Sequence, residues 1–256
     1  MFAGFNLKMN SEFLSYSNIG NTILEENKEH IEKEFDSFLL SDGSIDGTKM
    51  QNDWFPEINA DVFISHSHAD KEKAIAVAGW LYEKFGLTVF IDSCVWGYAA
   101  NLLKKIDDIY CKNKDSNTYN YEKRNFSTSH VYMMLSTALT KMIDKTECVL
   151  FLNTPNSIVT NEVIKQTKSP WIYYELAMTQ SIRKKDPIRF GLIKKGYYLK
   201  HAQVLDIKYK LDIGHLCEIS QNDLQEWEKA YNPNGDSHAL DVLYEKHDLI
   251  DIQVKI

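Results

Sequence analysis

The stretch from Ala60 to Asp92 constrains the fold of this chain more than any other. Ala60-Asp61-Val62-Phe63-Ile64-Ser65 is a short apolar run of the kind buried on both faces of a parallel sheet. It breaks into His66-Ser67-His68-Ala69-Asp70, where Asp70 is placed to cap a helix. Ala74, Ile75, Val77, Ala78, Leu81, Tyr82 and Phe85 then repeat at helical spacing, and Gly86 supplies the stop. Leu87-Thr88-Val89-Phe90-Ile91-Asp92 is a second apolar run. Strand, helix and strand within about thirty residues form a βαβ unit, which requires a parallel sheet with a right-handed crossover.

The pattern continues downstream. From Ser127 or Ser129, Val131, Met134, Leu135, Ala138, Leu139, Met142 and Ile143 mark one buried helical face, and Glu147 to Leu152 reads as a third buried strand. Asn153 to Ser157 is a loop by composition. Ser169-Pro170-Trp171-Ile172-Tyr173-Tyr174-Glu175 opens another helix, with Ser169 as cap and Pro170 at the first helical position. Ile188–Ile193 is a candidate fourth strand. Leu205, Ile207, Tyr209, Leu211 and Ile213 alternate with polar residues, as in a strand with one wet face near a sheet edge. Helices are expected over 221–231 and 238–247. The architecture is α/β, a doubly wound parallel sheet.

Three regions follow from this reading. Residues 1–58 form an N-terminal helical extension, with Ile31, Phe35, Phe38 and Leu39 at helical spacing between Leu24 and Leu40. Residues 59–215 form the sheet domain. It carries a loop over Ser93–Asn101, a short helix near Leu102–Ile109 and a polar, Tyr-rich insertion, the whole excursion spanning about 98–127. Residues 216–256 form a C-terminal helical cap.

Composition narrows the partners. With 256 residues, 44% hydrophobic and 25% charged, the chain supports a sizeable core. A net charge of −7 argues against general nucleic-acid binding, which relies on basic patches. Cys94, Cys111, Cys148 and Cys217 form no C-x-x-C, no secretory signal opens the chain, and no apolar run approaches the ~20 residues of a membrane span. Reduced thiols and a cytoplasmic location are expected.

Ligands of doubly wound sheets sit beyond the carboxyl ends of the strands. That rule gathers the His66–Asp70 loop, the Asp92–Gly97 loop with Trp96, and the start of the Trp171 helix around one crevice, with Ser65 and His66 in the position that follows the strand. Trp171 and Glu175 are four apart and share a helix face. An indole beside a carboxylate suits a flat, cationic heterocycle and the sugar attached to it.

Asp61 to Ser67, Val89 to Asp92 and Ser169 to Glu175 resemble, in the right order, the motifs of the TIR (Toll/interleukin-1 receptor) domain family. The likeness covers roughly residues 60–195. It implies a flavodoxin-like sheet and a BB loop after the second strand, here Ser93–Asn101, through which copies assemble into a homo-oligomer. Many bacterial and plant members cleave NAD+, and the family's W-x-x-x-E glutamate falls on Glu175, with Trp171 as its aromatic neighbour. NAD+ is then a substrate, and no cofactor is implied. Ser65, His66, Asp92 and Trp96 are the further expected substrate contacts. Two departures from the family stand out: the long excursion after Trp96, and Ser67 and His68 where basic residues usually follow the first strand. By analogy with Thoeris antiphage proteins, the product would be a nucleotide messenger for an effector protein.

One carboxylate suffices for such chemistry. Nicotinamide departs as a neutral molecule from a cationic nitrogen, so no general acid is needed, unlike glycosidases that must protonate an alkoxide. The carboxylate stabilises the oxocarbenium-like ribose or captures it covalently. Stacking of Trp171 or Trp96 on the pyridinium is worth roughly 1–2 kcal/mol in a dry site.

Rival readings come from the same residues. In the assembly reading, Glu175 is a surface charge and the domain only binds others. His66-x-His68-x-Asp70, with His130 downstream, mimics part of a zinc-hydrolase motif, although Lys71 stands where that motif has histidine. Asp42, Ser44, Asp46, Gly47 and Asp53 imitate a calcium loop, but the last ligand is Asp and not the bidentate Glu. Plain turns and caps explain these residues better than either metal site does.

Overall fold

The structure, a computed structural model, describes residues 1–9, 13–28, 38–42, 44–91, 93–114, 117–161, 164–167, 169–190, 209–210 and 212–250. It divides into two compact units, one of residues 1–23, 59–91 and 143–256, the other of residues 24–58 and 92–142.

The first unit is built on a five-stranded, all-parallel sheet. Its strands are β1 (Ala3–Lys8), β2 (Val62–Ser65), β3 (Val89–Ile91), β4 (Cys148–Asn153) and, near the C-terminus, β8 (Cys217–Ser220), in the order β3-β2-β4-β1-β8. The expected βαβ unit is present as β2, α3 (Lys71–Phe85) and β3, and Gly86 closes α3 in the left-handed region at φ 66°. The order in which strands are added reverses between β2 and β4, because the chain leaves β2 for β3 on one side and returns on the other side as β4, with all strands still parallel. That is the topological switch point of a flavodoxin-like, doubly wound fold, where crevices open.

The fourth place in the sheet corrects the sequence reading. It is held by β1, not by Ile188–Ile193: Ile188–Phe190 is a 3₁₀ turn, and 191–208 lies outside the described residues. Residues 1–58 are therefore not purely helical. Ala3, Phe5, Asn6 and Leu7 are buried, as two-sided burial demands, and β1 pairs with β4 throughout and with β8 from Phe5 to Lys8. The same pairing puts β8 in the sheet, so the C-terminal region is more than a helical cap.

Helices cover both faces. On one, Phe5 of β1 stacks at 6.2 Å on Tyr244 of α8 (Ala239–Lys246). On the other, α6 (Pro170–Ser181) lays Ile172 and Leu176 on Phe151 of β4, joined by Ile158, Ile213 and Leu216. The helix α7 (Gln221–Ala230) starts with a Ser220–Asp223 capping box and stacks Trp227 on Phe85 of α3 at 4.0 Å. The two expected C-terminal helices are thus α7 and α8.

Between β4 and α6 the sequence reading missed two short strands, β5 (Val159–Asn161) and β6 (Ile164–Thr167). They form an antiparallel sheet with β7 (Tyr209–Lys210), in the order β5-β6-β7. The alternating 205–213 segment thus contributes an edge strand over its described part, though to this small sheet and not to the main one.

At the N-terminus, α1 (Ser17–Lys28) follows a 3₁₀ turn over Leu14–Tyr16, while Ile31 and Phe35 lie outside the described residues. In the second unit, Asp46 caps α2 (Gly47–Trp54) by accepting from Lys49 N at 2.9 Å, and Asp42 accepts from Ser44 N and Oγ. These aspartates serve a cap and an Asx turn. Ser93–Asn101 is not a loop but the opening of α4 (Ser93–Ile106), which runs into a π-helical turn at Asp107–Cys111. The helix that follows, α5 (Tyr121–Lys145), begins before the expected Ser127. The excursion is folded around buried Asp107, which accepts from Ser127 Oγ at 2.6 Å and Arg124 Nε at 2.9 Å. No described helix is long and apolar enough to cross a membrane.

Candidate active site at the carboxyl end of the sheet

The site is assembled by α6. Ser169 Oγ accepts from Ile172 N at 3.3 Å, and Pro170 fills the first turn, as their order in the sequence predicts. This start point sets which face is turned inward: Ile172, Glu175, Leu176 and Thr179 are buried. Glu175 is 1% exposed. Its Oε2 accepts a 2.6 Å hydrogen bond from Ser65 Oγ, on the last residue of β2. A carboxylate and a hydroxyl 110 residues apart thus meet at the switch point.

His66 follows directly and is 3% exposed, whereas His68, two residues on, is exposed. Trp171 is half-buried, with its ring 6.4 Å from that of Tyr174 in an edge arrangement. Ser65, His66, Trp171 and Glu175 therefore belong to one unit, and Ser65 and Glu175 touch. Asp92 lies outside the described residues. Trp96 is in α4 of the second unit, and its side chain lies outside what the structure describes.

Asp70, by sequence a helix cap or part of a zinc-like motif, is a tie between two loops. Asp70 stands at the N-cap position of α3 but makes no side-chain capping bond. Its buried carboxylate instead joins the loops after β2 and β4: it accepts from Thr154 Oγ1, from Asn156 Nδ2 at 2.9 Å and from Lys73 Nζ at 3.0 Å. Burial pushes the Asp70 carboxyl up, but these donors outweigh it and hold the group below the usual aspartate range. The Thr-Pro-Asn-Ser composition after β4 was a signal for a turn rich in donors, but not for its partner. Further along α6, Thr179 Oγ1 lies 2.8 Å from His215 Nε2, and burial lowers the His215 pKa.

With its carboxylate engaged, Asp70 is a poor metal ligand. Among the described residues, His66, His68 and Asp70 do not come together as a group able to hold an ion; Glu147, His238 and Asp241 do. Arg189 already bridges that acidic pair, donating to both Glu147 oxygens and to Asp241.

Fold and site together define a doubly wound α/β protein with a buried carboxylate at the carboxyl end of its sheet. Compared with family models, with curated proteins and with solved structures, the chain matches none.

Proposed function

We propose that this chain cleaves the nicotinamide–ribose bond of NAD+, with Glu175 as the carboxylate that stabilises or captures the ribose and Trp171 as the aromatic that positions the base. The observation that carries the reading is the Ser65–Glu175 hydrogen bond at the switch point, where doubly wound sheets bind nucleotides. The bond holds Glu175 in one rotamer, and burial magnifies its charge against a developing cation. Because Glu175 is 1% exposed, the ribose is admitted by displacement of the first turn of α6, a lid motion that also excludes water. The nucleotide product then serves as a messenger to an effector protein in antiphage defence, with assembly into a homo-oligomer as its control.

The test is turnover of NAD+ resolved by chromatography, with Glu175→Gln beside the parent chain. Loss of about 10³-fold or more is expected on removing the charge aimed at the cation. Turnover that survives the substitution overturns the assignment.

The Ser65–Glu175 hydrogen bond admits a second reading, in which Glu175 is a buried structural group and not the surface charge expected of an assembly module. In a non-catalytic assembly module, Ser65–Glu175 is a latch between α6 and β2. Glu175→Gln would then leave a chain that assembles normally, while the parent turns over no NAD+.

A further inference from the structure

Asn6 lies in the interior of the main sheet and is 1% exposed, yet among the described residues neither its Oδ1 nor its Nδ2 has a hydrogen-bond partner. A carboxamide left dry at both ends is costly, and a leucine of nearly the same volume would avoid the cost. Such a group in a folded protein calls for an explanation.

Register says where Asn6 stands. In β1 it is opposite Phe151 of β4, and Phe151 is opposite Ser65 of β2. Residues in register on parallel strands project to the same face, so Ser65, Phe151 and Asn6 form one row across the sheet. That face is the one α6 covers. Phe151 packs on Ile172 and Leu176, and Ser65 bonds Glu175. Two residues back along β1, a Cβ at Gly4 would meet Leu216 of the same cluster at 2.6 Å. Phe5, between them, points the other way, to Tyr244 and His247. Asn6 is thus two strands, about 10 Å, from Ser65, under the helix that carries Glu175.

We propose that Asn6 is a recognition residue of the Glu175 site, its amide pairing donor to acceptor and acceptor to donor with the carboxamide of the ligand's nicotinamide ring. This rests on the NAD+ reading above and adds to it what tells this base from an unsubstituted one. With the ribose at Glu175 and α6 lifted from the sheet, the ring takes the place of Ile172 and Leu176 over Phe151, and its carboxamide satisfies both ends of the Asn6 side chain. A site built to pair a polar group rejects the analogue that lacks it.

The experiment is calorimetric titration of the full chain carrying Glu175→Gln, so that the dinucleotide is not consumed. The two ligands are NAD+ and the dinucleotide in which plain pyridine replaces nicotinamide. With Asn6 present, NAD+ is expected to bind about tenfold more tightly than the pyridine analogue. Asn6→Leu should erase that difference by weakening NAD+ alone, and Asn6→Ala should do the same if the leucine variant does not fold. Equal affinity for the two ligands with Asn6 present overturns the inference and leaves the dinucleotide site standing, as does a preference that persists in the variants. No binding of either ligand removes the NAD+ reading and this inference together. A raised melting temperature in Asn6→Leu with unchanged discrimination marks Asn6 as a misfit of packing and also overturns it.

Discussion

At the scale of single residues, the site is held by carboxylates that local sequence describes poorly. Asp70 has the position of a helix cap and the task of a tie between two loops. Truncation by Asp70→Ala leaves Thr154, Asn156 and Lys73 without their acceptor, and a loss of about 3 kcal/mol is expected in denaturant unfolding. The pH dependence has a definite sign. The Asp70 carboxyl titrates lower in the folded protein than its ordinary 3.8, so its contribution is complete above that value and disappears as pH falls through the lowered one. The acid limb of the stability curve should therefore be shallower in Asp70→Asn than in the parent, measured by chemical denaturation from pH 5 downward. Glu175 is legible in the sequence as a candidate because the Trp-x-x-x-Glu spacing and the Ser-Pro start are local. Its contact with Ser65 is not, since nothing near either residue records a partner 110 positions away.

Among the elements, helix starts and stops followed sequence closely. Gly86 ends α3, Ser169-Pro170 begins α6, and α7 carries a full capping box. These signals are short-range hydrogen bonds and backbone angles, which a few adjacent residues determine. Crossings between elements leave fainter marks. Gly20 of α1 and Gly79 of α3 bring their backbones together, and a Cβ at Gly79 would lie 2.1 Å from Tyr16 O. That neighbour is main chain and cannot rotate aside. Gly79→Ala should cost about 2–3 kcal/mol through overpacking, despite the better helix propensity of alanine. Gly86→Ala meets nothing within 4 Å and pays only for its left-handed φ, about 1 kcal/mol. Thermal unfolding of the two variants side by side should rank them in that order. By sequence Ser93–Asn101, with Gly97 at its centre, is expected to be a loop. It is nevertheless helical in α4, a reminder that an isolated glycine lowers helix propensity by only about 1 kcal/mol.

In the unit built on the main sheet, Arg189 joins distant parts of the chain. It donates to Glu147, just ahead of β4, through two hydrogen bonds of 2.6 and 2.7 Å, and to Asp241 in α8. All three side chains are largely shielded from water, so salt screens the cluster weakly. Arg189→Met should cost about 3 kcal/mol by leaving two partly buried carboxylates facing each other, and the loss should change little between low and high salt in denaturant titrations. The sequence by itself determined the α/β class, the βαβ core, the bounds of α3, α7 and α8, the start of α6 and the residue types at the candidate site, because burial periodicity and capping are written within one or two turns of chain. Only the tertiary structure decided that the N-terminal segment fills the fourth place of the sheet, that Ser65 meets Glu175, and that Asn6 lies in their row. A buried parallel strand pairs through backbone groups common to every residue, so its own sequence carries no record of which neighbours it will have.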